Sequence, residues 1–268
     1  MSLGNGERII NMNEVGVVIS RYYEDLKWVE ELKAPLDVYV YDRQGETPGM
    51  GAPHAVAWYK PKSVISLDVE KCLSNGINLE IINMEDDAGF EASTYAYHFY
   101  LKHDSLNEIT VCLQGHPEIY TKNIIQFLNN PSQLMRTKFL PTNPNTPSIR
   151  PSRIETVGNV IDFEFVSDDF SHADPYHDYG WAPHKNNFDK APWKDFCHSP
   201  EWPPKPYDFG AGNQFMVNKN LVLKHDTDYY KRLQEFTATY MDPNEQRPHW
   251  QQKNQGPNIM EGMWQYAF

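Results

Sequence analysis

Four short apolar runs set the tightest limit on what this chain can fold into: VGVVIS (15–20), LDVYVYD (36–42), INLEIIN (77–83) and ITVCLQGH, which begins at Ile109. Runs this short and this rich in Val, Ile and Leu suit strands inside a sheet with both faces covered. The fourth stops on Gln114-Gly115-His116-Pro117, where Gly and Pro force the chain out of the sheet. Helical spacing lies between the runs. In RYYEDLKWVEELK, Leu26, Val29 and Lys33 repeat at helical intervals with Trp28 and Leu32 beside them. EASTYAYHFYLKH puts Ala92, Tyr95, Ala96 and Phe99 on one stripe, and TKNIIQFLNN reads as a further helix. Strand, helix, strand, strand, helix, strand predicts an α/β layer with a mostly parallel sheet flanked by helices.

Two stretches interrupt this pattern. Residues 46–76 read as an inserted excursion with their own Gly and Pro punctuation. Residues 136–208 are rich in Pro, His, Asp and aromatics, and only VIDFEFV (160–166) alternates as a strand. So many aromatics argue against low-complexity disorder, and a long, irregular but packed insertion is expected. Order then returns. FGAGNQFMVNKN (209–220) predicts a tight turn leading into a strand, and DTDYYKRLQEFTATY a helix capped by Asp226 or Thr227. NIMEGMWQYAF reads as a short amphipathic helix. With no internal repeat, residues 1–268 read as one domain carrying two insertions.

Bulk properties exclude whole classes of function. A chain of 268 residues can bury about 75% of its unfolded surface. A net charge of −12 without a basic run argues against nucleic acid, whose phosphates need clustered Lys and Arg. Mean hydropathy is −0.66, and no apolar run approaches the roughly 20 residues of a membrane span. No cationic segment followed by an apolar stretch opens the sequence, so a cytoplasmic location is expected. Cys72, Cys112 and Cys197 are too few and scattered for a disulfide framework or a thiolate zinc site.

In a parallel α/β sheet, ligands bind beyond the carboxyl ends of the strands. Here those ends carry Ser20, Arg21, Tyr22 and Tyr23, then Asp42 and Arg43, then Gln114 and His116; the helix opening with Glu91 follows the third strand. A carboxylate for ribose hydroxyls, Arg for phosphate and aromatics for stacking suit a nucleotide. Taken singly, Asp42 and Arg43 read equally well as turn residues.

The blocks VVISRYYEDLKWV, VYVYDRQG, GFEASTYAYHF, ITVCLQGHP, FGAGNQFMV and IMEGMWQYAF, in this order, resemble an uncharacterised family related to the nucleotide-sugar glycosyltransferases. LQGHP and AGNQF are the most specific of them. The resemblance implies a GT-A-like, Rossmann-related fold with a nucleotide-sugar cleft. A sugar would then pass from a nucleoside diphosphate donor to a hydroxyl acceptor such as a glycan. Ser20, Arg21, Asp42, Arg43, Glu91 and Gln114 would hold the donor. Gly212, Asn213 and Gln214 would meet acceptor or sugar hydroxyls, the glycines allowing close backbone approach. Glu261 is the candidate base for the acceptor proton, and Trp264, three residues on, would stack on a sugar ring. A tight turn at the glycines, or a buried Trp264 beside an exposed Glu261, is the plainer reading.

Two positions depart from the pattern. Phe90 stands where such proteins carry Arg before the Glu of the third block. More seriously, the Asp-x-Asp that holds Mn²⁺ or Mg²⁺ in GT-A enzymes is replaced by Gln114-Gly115-His116. Hard divalent ions favour carboxylates, and these side chains bring no negative charge. Metal independence is therefore expected, with Arg21, Arg43 or catalytic His116 stabilising the leaving phosphate; Mn²⁺ or Mg²⁺ held elsewhere is the alternative, and no metal ligand is assigned.

Two further clusters are weaker. Glu85, Asp86, Asp87 and Glu91 could form a substitute cage, but for Glu85 to Asp87 an acidic loop before a helix is the better reading. His172, Asp174, His177 and His184 would suit Zn²⁺ in a hydrolase, yet no pair has the spacing of a zinc-binding helix. A carbohydrate-binding protein without catalysis is the other alternative. There is no G-x-G-x-x-G after a strand, no Walker motif, no H-E-x-x-H and no G-x-S-x-G.

Overall fold

The computed structural model describes residues 14–33, 35–43, 65–84, 90–119, 124–130, 165–167, 170–173, 207–210 and 214–239, with 196, 260 and 264. The four apolar runs become strands β1 (Val15–Arg21), β2 (Leu36–Asp42), β3 (Ile77–Asn83) and β4 (Ile109–Gln114). Later come β5 (Phe165–Ser167), β6 (Phe170–Ala173), β7 (Tyr207–Gly210) and β8 (Phe215–Asn218). The main sheet runs β3-β2-β1-β4-β8-β5, and β6 pairs with β7 in a separate antiparallel pair. From β3 to β4 every neighbour is parallel, while β8 runs antiparallel to both β4 and β5. The protein is thus α/β, its sheet mostly parallel and flanked by helices.

Alternation along the strands sorts side chains to two faces. Val15, Val17 and Ile19 of β1 join Val38, Val40, Val111 and Leu113 in one core, under Leu26, Trp28, Val29 and Leu32. Helix α1 (Val69–Ser74) covers the same face through Cys72, and α3 (Ile124–Leu128) through Ile124 and Leu128. On the other face, Val18, Tyr39, Tyr41 and Cys112 meet Ala92, Tyr95, Ala96 and Phe99 of α2 (Phe90–Lys102), the stripe expected from spacing. Beyond β8 come α4 (Lys219–Val222) and α5 (Thr227–Thr239). Helix α5 packs on α2 through Tyr230 and starts at Asp226, whose Oδ1 accepts the Tyr229 N–H at 2.8 Å. Cys72 and Cys112 are free thiols in separate cores. No helix among the described residues is long and apolar enough to cross a membrane.

One expectation needs correction. The long helix read into RYYEDLKWVEELK shrinks to a 3-10 helix over Lys27–Glu31. Its first residues are taken by β1, which runs on through Arg21, and by a polar closure in which the Glu24 carboxylate accepts the N–H groups of Tyr22 and Tyr23. Side chain to backbone bonds of this kind compete directly with helix. Most of the stretch 46–76, read as an excursion, lies outside the described residues; its end forms α1, whose Cys72 is part of the core under the sheet.

Candidate functional site

The order β3-β2-β1-β4 defines a place. From β1 the chain steps outward through β2 and β3, then returns to lay β4 on the opposite side of β1. The switch point between β1 and β4 is where open α/β sheets bind ligands, outside the carboxyl ends of the strands. Register brings the expected residues to that edge. Ser20 lies opposite Gln114, Arg21 opposite Asp42, and Asp42 opposite Asn83.

Their side chains engage one another. Arg21 is 2% exposed and donates from a terminal nitrogen to Asp42 Oδ1 at 2.6 Å. Its Nε donates to the Glu24 carbonyl at 2.9 Å, fastening the turn that leaves β1. Arg43 is also buried; its backbone N–H donates to the Arg21 carbonyl at 2.9 Å and its guanidinium to Ser20 Oγ at 3.3 Å. Ser20 Oγ lies 3.0 Å from Thr94 Oγ1 on α2, which ties that helix to the edge. Glu91 sits half-buried in the first turn of α2.

Beyond β4, Gly115 is buried and His116 is exposed. Trp28 Nε1 donates to the Gly115 carbonyl at 2.9 Å, pinning the 3-10 helix to the end of β4. Gln214, expected to meet sugar hydroxyls, is 1% exposed and braces the edge. Its Oε1 accepts the Gln114 N–H at 3.2 Å and its Nε2 donates to the Pro117 carbonyl at 3.3 Å. Trp264, expected to stack on a sugar, is 2% exposed and packs its ring among Tyr95, Phe99 and Phe215. Met260 and Trp264 are both helical and buried in the α2 core. That hydrophobic seat accounts for the aromatic at this position. Gly212, Asn213 and Glu261 lie outside the described residues, as do Glu85 to Asp87, Asp174, His177 and His184.

A divalent cation does not fit the described part of this edge. Gln114 and His116 bring no negative charge, Asp42 is bonded to Arg21, and Glu24 is bonded to two peptide N–H groups. No group of three His, Cys, Asp or Glu among the described residues could hold a metal ion. Sequence reasoning passed over Glu24 and Thr94. Each sits inside a block of the resemblance, yet both matter through partners that only the fold supplies.

Deeper under the sheet, His98 of α2 is fully buried, its Nδ1 2.9 Å from the Tyr41 hydroxyl. Burial, with Lys102 adding a smaller push, lowers its pKa to about 3, so the ring is neutral at ordinary pH. Burial chiefly raises the Tyr41 and Tyr39 hydroxyls well above the usual tyrosine range.

The strand order and this polar edge define an α/β protein whose parallel strands gather Ser20, Arg21, Asp42, Arg43 and Gln114 at their carboxyl ends. No family model, curated protein or solved structure matches the chain.

Proposed function

We propose that the chain is a glycosyltransferase of GT-A-like architecture. It moves a sugar from a nucleoside diphosphate donor to a hydroxyl acceptor without a divalent metal at the end of β4. The observation that carries this reading is the meeting of Ser20, Arg21, Asp42, Arg43 and Gln114 at one switch-point edge, with His116 just beyond. In transfer, the bond from the anomeric carbon to the diphosphate breaks as the acceptor oxygen attacks. Negative charge grows on the leaving phosphate, and a base takes the acceptor proton. Exposed His116 serves the leaving phosphate. Arg21 and Arg43 set the potential of the edge from below, because both are buried and bonded. Glu261 is the proposed base.

Calorimetry with UDP-, GDP- and dTDP-sugars, with and without Mn²⁺, tests the reading. At least one donor should bind, equally well without the metal. Absence of binding under both conditions overturns it. Donor binding without transfer is a second reading, favoured by the bonds that occupy Asp42 and Glu24. Turnover that disappears in Glu261→Gln or His116→Ala excludes it.

A further inference from the structure

A carboxylate already occupies the switch point. Glu24 Oε2 accepts two successive peptide N–H groups, from Tyr22 at 2.6 Å and from Tyr23 at 3.0 Å. Successive N–H groups converging on one oxygen form a concave anion seat of the kind that holds phosphate elsewhere. This one lies where β1 ends. It reaches the end of β4 as well: a Cβ built on Gly115 would fall 2.6 Å from Glu24 Oε2 and 2.8 Å from Glu24 Cβ. Glycine at 115 therefore leaves the room that the carboxylate fills. Trp28 fixes the Gly115 carbonyl and Arg21 Nε fixes the Glu24 carbonyl, so both walls are held by bonds that do not use the carboxylate.

We propose that the Tyr22 and Tyr23 N–H groups under Gly115 are the seat of a phosphoryl oxygen of the diphosphate, and that Glu24 fills this seat until the ligand displaces it. The proposal deepens the donor reading, on which its choice of a diphosphate rests. A carboxylate oxygen and a phosphoryl oxygen are both charged acceptors of N–H bonds. Exchanging one for the other leaves both donors satisfied, while the freed Glu24 side chain turns to water. The same carboxylate excludes other anions when no donor is bound, which gives the crevice selectivity through competition.

The test uses the full chain with ¹⁵N-labelled tyrosine and inorganic pyrophosphate as the probe. Tyr22→Phe and Tyr23→Phe assign the two amide signals by deleting them. On titration both signals should move in the native chain. By calorimetry, Glu24→Gln, which keeps the shape and removes the competing charge, should bind pyrophosphate about tenfold more tightly. Adding Gly115→Ala should abolish that gain, because the methyl group enters the space the phosphoryl oxygen needs. Unmoved Tyr22 and Tyr23 signals, or no gain in a folded Glu24→Gln chain, overturn the seat. Should Glu24→Gln fail to fold, the native-chain titration decides. A nucleotide sugar that binds while both amides stay still removes the seat and leaves the donor reading standing. Pyrophosphate that moves them while no nucleotide sugar binds does the reverse.

Discussion

The two ends of the parallel strands both bury charged side chains, and they satisfy them by opposite means. At the amino-terminal end, Asp37 Oδ1 accepts from the Asn78 amide at 3.2 Å and Oδ2 from the Asn107 amide at 2.6 Å. Tyr39 donates to Asn107 Oδ1 at 3.4 Å, which closes a net of neutral donors around one carboxylate. At the carboxyl end, guanidinium groups meet carboxylates and hydroxyls, and His116 faces water. A ligand can replace Glu24 there without stranding the two N–H groups. It cannot enter the Asp37 net without breaking amide bonds that the fold needs. One end locks the sheet; the other can exchange partners.

The largest expected effect comes from breaking the ion pair at the carboxyl end. Arg21→Ala leaves Asp42 without its guanidinium, and removal of one member of a buried pair costs about 3–5 kcal/mol. Urea unfolding measures it. Replacing both partners, Arg21→Met with Asp42→Leu, should recover most of that stability yet still weaken nucleotide binding. Full recovery of binding would show that the pair serves the fold alone. The amino-terminal end should answer differently. Gly16→Ala sets a Cβ about 2.8 Å from Asn107 Cγ and drives the amide off Asp37. Overpacking plus a lost bond to a buried carboxylate costs about 2–4 kcal/mol. Ligand affinity of the folded fraction should stay unchanged, since the proposed site lies at the other end of the strands.

How far this contrast could be read from residues alone follows from what each part depends on. The parallel core was legible because β1, β2 and β4 are nearly continuous apolar runs, and α2 because Ala92, Tyr95, Ala96 and Phe99 repeat at helical spacing. A cap at Asp226 or Thr227 was legible for a similar local reason, and the structure uses Asp226. Residues 21–25 were not, because the helical spacing begins only at Leu26, and ahead of it the Glu24 carboxylate closes a turn on the Tyr22 and Tyr23 N–H groups. The strand-end residues could be named by position, whereas their partners could not. Whether Arg21 faces Asp42, or Gln214 braces the end of β4, depends on register between strands far apart in sequence. Trp264 fell on the core side of the same divide, since an aromatic at helical spacing looks alike whether it packs or binds.

Midway between the two ends, His98 gives an effect that belongs to neither. Its folded pKa near 3 lies below the ordinary value of 6.5, so under acid conditions the unfolded chain takes up a proton that the folded chain refuses. Stability from this group is complete above pH 6.5 and falls as pH drops toward 3. The slope approaches about 1.4 kcal/mol per pH unit for one proton. Urea midpoints measured from pH 7 to pH 5 should show that slope flattened by about one proton in His98→Phe. An unchanged slope would mean that the ring is not buried neutral.

Ser20→Ala is the mildest change and the one that best isolates the carboxyl end. The hydroxyl lies 3.0 Å from Thr94 Oγ1 and accepts from Arg43 at 3.3 Å, so its removal costs about 1 kcal/mol, the ordinary worth of such bonds. That loss is small enough to leave the chain folded, and β1 keeps its register because Ser20 pairs with Tyr41 and Gln114 through the backbone. What changes is the hold on Arg43 and on the first turns of α2, where Glu91 sits. Nucleotide affinity should therefore fall several-fold while stability drops by only about 1 kcal/mol, the reverse of the outcome expected for Gly16→Ala. If Ser20→Ala leaves affinity intact and costs as much stability as Gly16→Ala, the carboxyl end is a lock like the amino-terminal end, and the contrast between the two is lost.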